Sequence, residues 1–498
     1  MTQHPTGPRI FFDVTDLRTY LIEHRSLTGI QRVVVMILVE VGKLIGAENV
    51  YLSFFDIDTG QYRTISSTLL KNYSGTVQEQ LVAALNVQSA DHFIRPTLEK
   101  YENRGFRRSL HTAIREIQAW RGNERHFRKR RSSIAEWRES RPKQAMQRAA
   151  HHDFFSVARA GDVVFLAGAS WFRDSAAVFR KVRRSGARVI ALIHDLIPIV
   201  TPKFVASEHP VLFHDWLLDS LGYIDRYIAN SKATGDDLRR FINVYKGKQA
   251  VAVAPLAQDR IPDDAPVAIG KRRRRVDKHA YPDLYDGVVM SEHIRALTKM
   301  PYVLVVGTTD IRKNIWSLLQ AWIRLIRHED MEIPKLVIAG RVGAMNGDCE
   351  DLLAATGNLG GWVTRVIGPS DLELDFLYRK CLFTAMPSYY EGWGLPIGES
   401  LSYGKTAVVS HTSSMPEVGE DYVEYCDPHS IDSIFRACLT LIGDVDHRRA
   451  LEARIATASL RSWSHVARDI TDILLEDAPE TANRQRLARP REVRREAV

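Results

Sequence analysis

The sequence predicts an α/β protein built from two doubly wound domains that face one another, the first interrupted by a basic helical insertion. Three observations predict it. The chain has 498 residues, too many for one ordinary core, so two domains are expected. Runs such as RIFFDV, DVVFLAG, YVLVVG and KLVIAG are continuously apolar, as strands are when helices cover both faces of a parallel sheet. Strand and helix patterns also alternate in two series, separated by a stretch from Gln258 to about Lys299 where the alternation lapses.

The first domain is expected over residues 1–258. RIFFDV reads as a strand, and TGIQRVVVMILVEVGKLI as a helix with Gly29 at its entrance. VYLSFFDID and QYRTIS read as two strands around a turn at Thr59-Gly60. An insertion is expected over about 60–150. Within it, Phe106, Leu110, Ala113, Ile114, Ile117 and Trp120 lie on one face of a helix, with arginines opposite. The strand–helix pattern then resumes through DVVFLAG, ARVIALIHDLIPIV, IDRYIANS and VAVAPL. Residues 259–299, rich in Pro, Asp and Arg, read as a linker or excursion. YVLVVG, KLVIAG, VTRVIG, LFTAMP and TAVVS, each followed by a helix, give the second domain over 300–460. A last helix is expected over 461–477 and a basic, disordered tail over 478–498.

The composition, 45% hydrophobic and 26% charged, is that of a soluble globular protein. The four cysteines are far apart and form no Cys-x-x-Cys, so neither a zinc site nor a disulfide framework is expected. The N-terminus lacks the basic-then-apolar layout of a signal peptide, and no uncharged apolar run is long enough to span a membrane. A reducing cytoplasm is the expected location. The net charge is +8, but Arg104 to Arg148 holds 14 Lys/Arg against 4 Glu, a local +10 that leaves −2 for the rest. The basicity belongs to one segment, which carries none of the usual nucleic-acid-binding motifs. Its amphipathic layout also suits the surface of an anionic membrane.

Ligands of parallel sheets bind beyond the carboxyl ends of the strands, so the chemistry should sit in the loops there. VVGTTDIRKN ends a strand at Gly307 and offers Arg312 and Lys313 near a helix start, a suitable anion clamp. AGRVGAM repeats the pattern with Gly340, where a base or ribose can approach the backbone closely. PSYYEGWGLPIGESL places Glu391 in a loop and Glu399 in the following helix. A carboxylate is a good acceptor for two vicinal hydroxyls. His194 ends another strand, where it either meets a ligand or satisfies local backbone groups; Asp195 reads as a structural acceptor. The Asp56-Ile57-Asp58 run resembles a metal-binding Asp-x-Asp but precedes Thr59-Gly60, so a hairpin turn is expected.

EGWGLPIGESLSYG resembles the Glu-x7-Glu signature of the retaining glycosyltransferases of family 4 (group 1), which have the GT-B fold of two facing Rossmann-like domains. VGTTDIRKN is similar to their phosphate loop, IALIHDLIPI to their His-Asp segment, TGIQRVV to their first glycine loop, NSKATGDDL and VAPLAQD to the end of their first domain, and SWSHVARDI to their terminal crossing helix. The resemblance implies that Arg312 and Lys313 neutralise a nucleotide diphosphate and that Glu399 binds ribose hydroxyls. It implies that Glu391 binds the donor sugar in a pocket shaped by Gly392, Trp393, Gly394 and Leu395. It places Gly307 and Gly340 at the donor, His194 near the reacting sugar and Gly29 near the phosphates or acceptor. Two positions depart from the family pattern: Trp393 stands where Phe is usual, and Gln31 where a second glycine is often found. The implied function is hexosyl transfer, without a metal, from a nucleotide sugar, GDP-mannose in type, to a hydroxyl of a lipid-linked surface polysaccharide. A nucleotide-sugar epimerase of the same fold and a nucleic-acid-binding protein using the basic segment are the alternatives.

Overall fold

A computed structural model describes residues 8–476 except 24–26, 28, 57–58, 73–76, 88–110, 112, 116, 120–122, 129–148, 173–175, 260–289, 291, 329–330 and 344–345. Two sheets form around separate sets of strands. The first contains β1 (Ile10–Asp13), β2 (Val50–Asp56), β3 (Gln61–Ser66), β4 (His152–Asp153), β5 (Val163–Leu166), β6 (Arg188–Ile193), β7 (Arg226–Ala229) and β8 (Ala250–Val253). Its order is β4-β3-β2-β1-β5-β6-β7-β8. β2, β1 and β5 to β8 run parallel. β3 and β4 extend the edge in antiparallel fashion.

The second sheet contains β9 (Tyr302–Val306), β10 (Lys335–Gly340), β11 (Val363–Ile367), β12 (Thr384–Met386), β13 (Ala407–Ser410) and β14 (Glu424–Cys426). Its order is β11-β10-β9-β12-β13-β14, and every pair is parallel. The apolar strands are buried on both faces, as their unbroken hydrophobicity requires: Val303, Leu304, Leu336 and Val337 are fully enclosed.

Two boundaries and one helix face differ from the sequence reading. Residues 61–66 are not insertion; they pair along the whole of β2, from Tyr51–Ser66 to Asp56–Gln61. Asp56 closes this hairpin by accepting from the Thr59 hydroxyl at 2.9 Å, so it serves the turn. The second domain begins before residue 300: in helix Glu292–Leu297, Ile294 and Leu297 are buried with Tyr302, Leu304 and Phe376. The basic segment is described only in part. There Ile114 and Ile117 are 37% and 50% exposed, while Arg115 and Ala119 are buried. The expected apolar face thus turns its isoleucines to solvent and an arginine inward; Phe106, Leu110 and Trp120 lie outside the described residues.

The chain returns to the first domain at its end. Helix Trp463–Leu475 packs Trp463, Val466, Ile470 and Leu474 with Val33, Ile37 and Val41 of helix Ile30–Ile45 in one core cluster. Arg461 fastens the crossing: its Nε donates to the Pro255 carbonyl at 2.8 Å and its backbone N–H to Gln258 Oε1 at 3.1 Å. Tethered at two crossings, the two sheets hold their loops against each other.

Candidate active site

The site is built on the loops after β9, β10 and β12, with the loop after β6 facing them. β9 is followed by Gly307, whose φ of 135° is in the range that favours glycine. A single 3-10 turn, Ile311–Lys313, then carries Arg312 and Lys313. Asn314 follows with φ 57° and starts helix Ile315–Ile326. Its buried amide donates to the Pro387 and Pro428 carbonyls at 3.0 and 2.8 Å. One side chain thereby locks the cationic turn to the loop after β12. The sequence reading gave Asn314 no role; its place directly after Arg-Lys was the one available signal. Gly340 ends β10 directly over this loop, since a Cβ there would collide with the Gly307 carbonyl.

The loop after β12 delivers Glu391, which is 7% exposed. Each of its carboxylate oxygens meets a cation: Oε2 lies 2.5 Å from Arg312 Nη1 and Oε1 lies 2.7 Å from Lys313 Nζ. Arg312 also donates to the Tyr390 carbonyl at 2.7 Å. Burial by itself would raise the Glu391 pKa, but the two cations outweigh it and hold the carboxyl at about 2. Burial would lower the Arg312 pKa, yet Glu391 and Asp310 push it above its ordinary value. Three residues that the resemblance assigned to sugar and diphosphate separately therefore form one ion triad around a buried carboxylate. Asp310, whose pKa is raised chiefly by burial, lies beside it, 4.0 Å from Arg312.

The loop after β6 closes the other side. A Cβ on Gly392 would collide with the carbonyl of His194, so the Glu391 loop rests on that backbone. His194 Nε2 donates to the Ala167 carbonyl at 2.8 Å. Burial holds its pKa down to about 4, so the ring is neutral at pH 7. Asp195 accepts from the Ile197 amide at 3.0 Å; burial raises its pKa against the pull of Arg312. The second domain is fastened to the first elsewhere too. Phe204 stacks on Tyr389 at 4.9 Å, Tyr390 donates to Asp237, and Glu417 accepts from the Lys232 and Ala233 amides at 2.7 and 2.9 Å.

Glu399 lies in helix Leu395–Ser402, half-buried, and accepts from the Tyr378 hydroxyl through Oε2 at 2.7 Å. Gly394 caps this helix with φ 107°, and Leu395 packs at the edge of the core. Trp393 departs from its expected role. Its side chain is buried in the core and donates to the Ala257 carbonyl at 3.0 Å, so it braces the domain junction. Gly398 has the same purpose: a Cβ there would lie 2.7 Å from Gln258 Cα. Gly29, at φ 47°, opens helix Ile30–Ile45. Three residues on, Arg32 pairs with Asp371 of the second domain.

Residues 291–457 match the family model of the group 1 glycosyl transferases. O-antigen chain mannosyltransferase B of Escherichia coli is 36% identical over 33% of this chain and 43% of its own length. The MMP α-(1→4)-mannosyltransferase of Mycolicibacterium hassiacum is 29% identical over 33% of this chain and 40% of its own length. The matches thus span less than half of these relatives. Two solved structures share the fold over nearly the whole chain. Anabaena Alr3699/HepE in complex with UDP-glucose has a TM-score of 0.53 at 12% identity, covering 94% of this chain and 99% of its own. A glycosyltransferase from Rickettsia africae has a TM-score of 0.50 at 12% identity, covering 95% and 98%. Two facing α/β domains with parallel sheets constitute the GT-B fold that the resemblance implied. The likeness to the group 1 glycosyl transferases is thus carried by the second domain, residues 291–457.

Proposed function

We propose that this protein is a retaining glycosyltransferase that moves a hexose, mannose by preference, from a nucleoside-diphosphate sugar to a hydroxyl of a growing, lipid-linked surface glycan. The observation that carries the reading is the Arg312–Glu391–Lys313 triad at the domain junction. Two fixed cations at a leaving diphosphate stabilise the charge that develops there. A nucleotide entering the cleft replaces the carboxylate on the cations and frees Glu391 to accept sugar hydroxyls. Glu399, on the neighbouring helix, takes the ribose hydroxyls. The His194 backbone lies against Gly392, and its ring, neutral at pH 7, serves as a hydrogen-bonding group near the sugar, not as a cation. With Glu391 committed to binding, retention proceeds by front-face return: the acceptor attacks as the diphosphate leaves, and the departing phosphate takes its proton. Packing of the Glu391 loop against the first domain excludes water from the reacting centre.

The mannose preference rests on the relatives named as mannosyltransferases. The lipid-linked acceptor rests on the basic segment, where Ile114 and Ile117 face solvent beside a local charge of +10. No described helix is long and apolar enough to cross a membrane; in this reading the basic segment attaches peripherally, on the cytoplasmic face. Diphosphate charge is neutralised by side chains, and turnover persists in a chelator. Turnover of GDP-mannose with and without a mannoside acceptor tests the reading. Acceptor-dependent release of GDP with a lengthened glycan supports it; conversion of the sugar without acceptor assigns an epimerase instead.

A further inference from the structure

We infer that Tyr378 is a positioning residue that holds Glu399 ready for a ribose, and that the nucleotide site owes its preference for ribose over 2′-deoxyribose to this contact. The inference rests on the proposed nucleotide-sugar site. Tyr378 lies in helix Asp371–Lys380, ahead of β12, and is 2% exposed. Its hydroxyl donates to Glu399 Oε2 at 2.7 Å. The other carboxylate oxygen has no hydrogen-bond partner among the described residues.

The contact is itself braced. The Tyr378 ring stacks on Tyr403, with centroids 5.0 Å apart and planes 6° from parallel. The Tyr403 hydroxyl donates to Asp375 Oδ1 at 2.9 Å, and Arg379 Nε donates to Asp375 Oδ2 at 2.9 Å. These anchors belong to helix Asp371–Lys380 and to the turn after the Glu399 helix. The carboxylate is therefore fixed from behind by two stacked rings and an ion pair.

The chemistry follows from the donor count. A glutamate side chain has three rotatable bonds, and ordering it on a ligand costs entropy. A hydroxyl that already donates to Oε2 removes that freedom before the ligand arrives, and preorganisation of this kind appears as affinity. Burial raises the Tyr378 pKa, so its proton is retained for donation. Oε1 is left as an acceptor for a vicinal diol. A hydrogen bond to a charged partner changes affinity by about tenfold or more. Without Tyr378, Glu399 turns freely, and the gain from a second ribose hydroxyl falls.

The test uses the full chain and four probes in titration calorimetry: GDP, dGDP, UDP and dUDP. For the nucleotide that binds, the wild type should favour the ribose form by about tenfold. Tyr378→Phe should remove most of that preference while leaving the affinity for the deoxy form nearly unchanged. In a Glu399→Ala background the preference should be absent, and Tyr378→Phe should have no further effect on it; a merely structural role would add its own loss. If Tyr378→Phe does not fold, Tyr403→Leu removes the stacked ring and should lower the same ratio by a smaller factor. A wild type that binds both sugar forms equally, or a folded Tyr378→Phe that keeps the full preference, overturns the inference and leaves the nucleotide site standing. Failure of all four probes to bind overturns both.

Discussion

Replacing Glu391 by glutamine tests whether the triad is a nucleotide site occupied by the protein's own carboxylate. The side chain is nearly buried, and each oxygen holds a cation. Holding the carboxyl at about 2 instead of its ordinary 4.5 corresponds to on the order of 3 kcal/mol at neutral pH. Because the folded pKa is depressed, this contribution is present above pH 4.5 and is lost as pH falls towards 2. Glu391→Gln removes it at every pH and leaves Arg312 and Lys313, both partly buried, with Asp310 as the nearby counter-charge. For a domain of this size the loss lowers Tm by roughly 6–12 °C. GDP should restore more of the variant's stability than of the wild type's, because it no longer competes with a carboxylate for Arg312 and Lys313. Differential scanning fluorimetry with and without GDP reads both effects, and steady-state assays should show kcat falling. A Tm unchanged from wild type, or GDP binding weakened tenfold, would refute the reasoning.

The remaining predictions concern the clamp and the basic segment. Lys313→Ala should slow sugar transfer by on the order of 10², and unchanged kinetics in the folded variant would remove Lys313 from the site. The wild-type protein should cosediment with anionic vesicles at low salt and leave them at high salt, each aligned cation contributing ~1 kcal/mol. Changing Arg128, Arg130 and Arg131 to glutamate should abolish that binding while sparing transfer to a short soluble acceptor. A wild type that ignores the vesicles makes the segment a structural insertion.

The two sheets were legible because parallel strands covered on both faces must be continuously apolar, and YVLVVG and KLVIAG are. The Asp56 hairpin was legible because Thr59-Gly60 interrupts two strand patterns. Residues 61–66 were read as a strand but grouped with the insertion, because β4, which pairs with Thr64 and Arg63, comes from positions 152–153; periodicity carries no record of a partner so distant. Resemblance identified Arg312, Lys313, Glu391 and Glu399 as candidates but not how they are joined. Glu391 reaches Lys313, 78 positions away, through a tertiary contact. Trp393 and Gly392 read as pocket residues because they flank Glu391 in sequence. Packing turns Trp393 into the core instead and sets Gly392 against His194. Tyr378 carried no signal, since a buried tyrosine in an amphipathic helix looks like core until its hydroxyl is placed.

Anomeric configuration tests the central claim most directly. The protein is supplied with GDP-mannose, whose sugar is α-linked, and a soluble mannoside acceptor, and the product is followed by proton NMR from the first turnover. Front-face transfer at the Arg312–Lys313 clamp predicts an acceptor-dependent product carrying a new α-linkage, formed in the presence of chelator and lost in Lys313→Ala. A β-linked product, or one that forms unchanged in Lys313→Ala, would contradict the account.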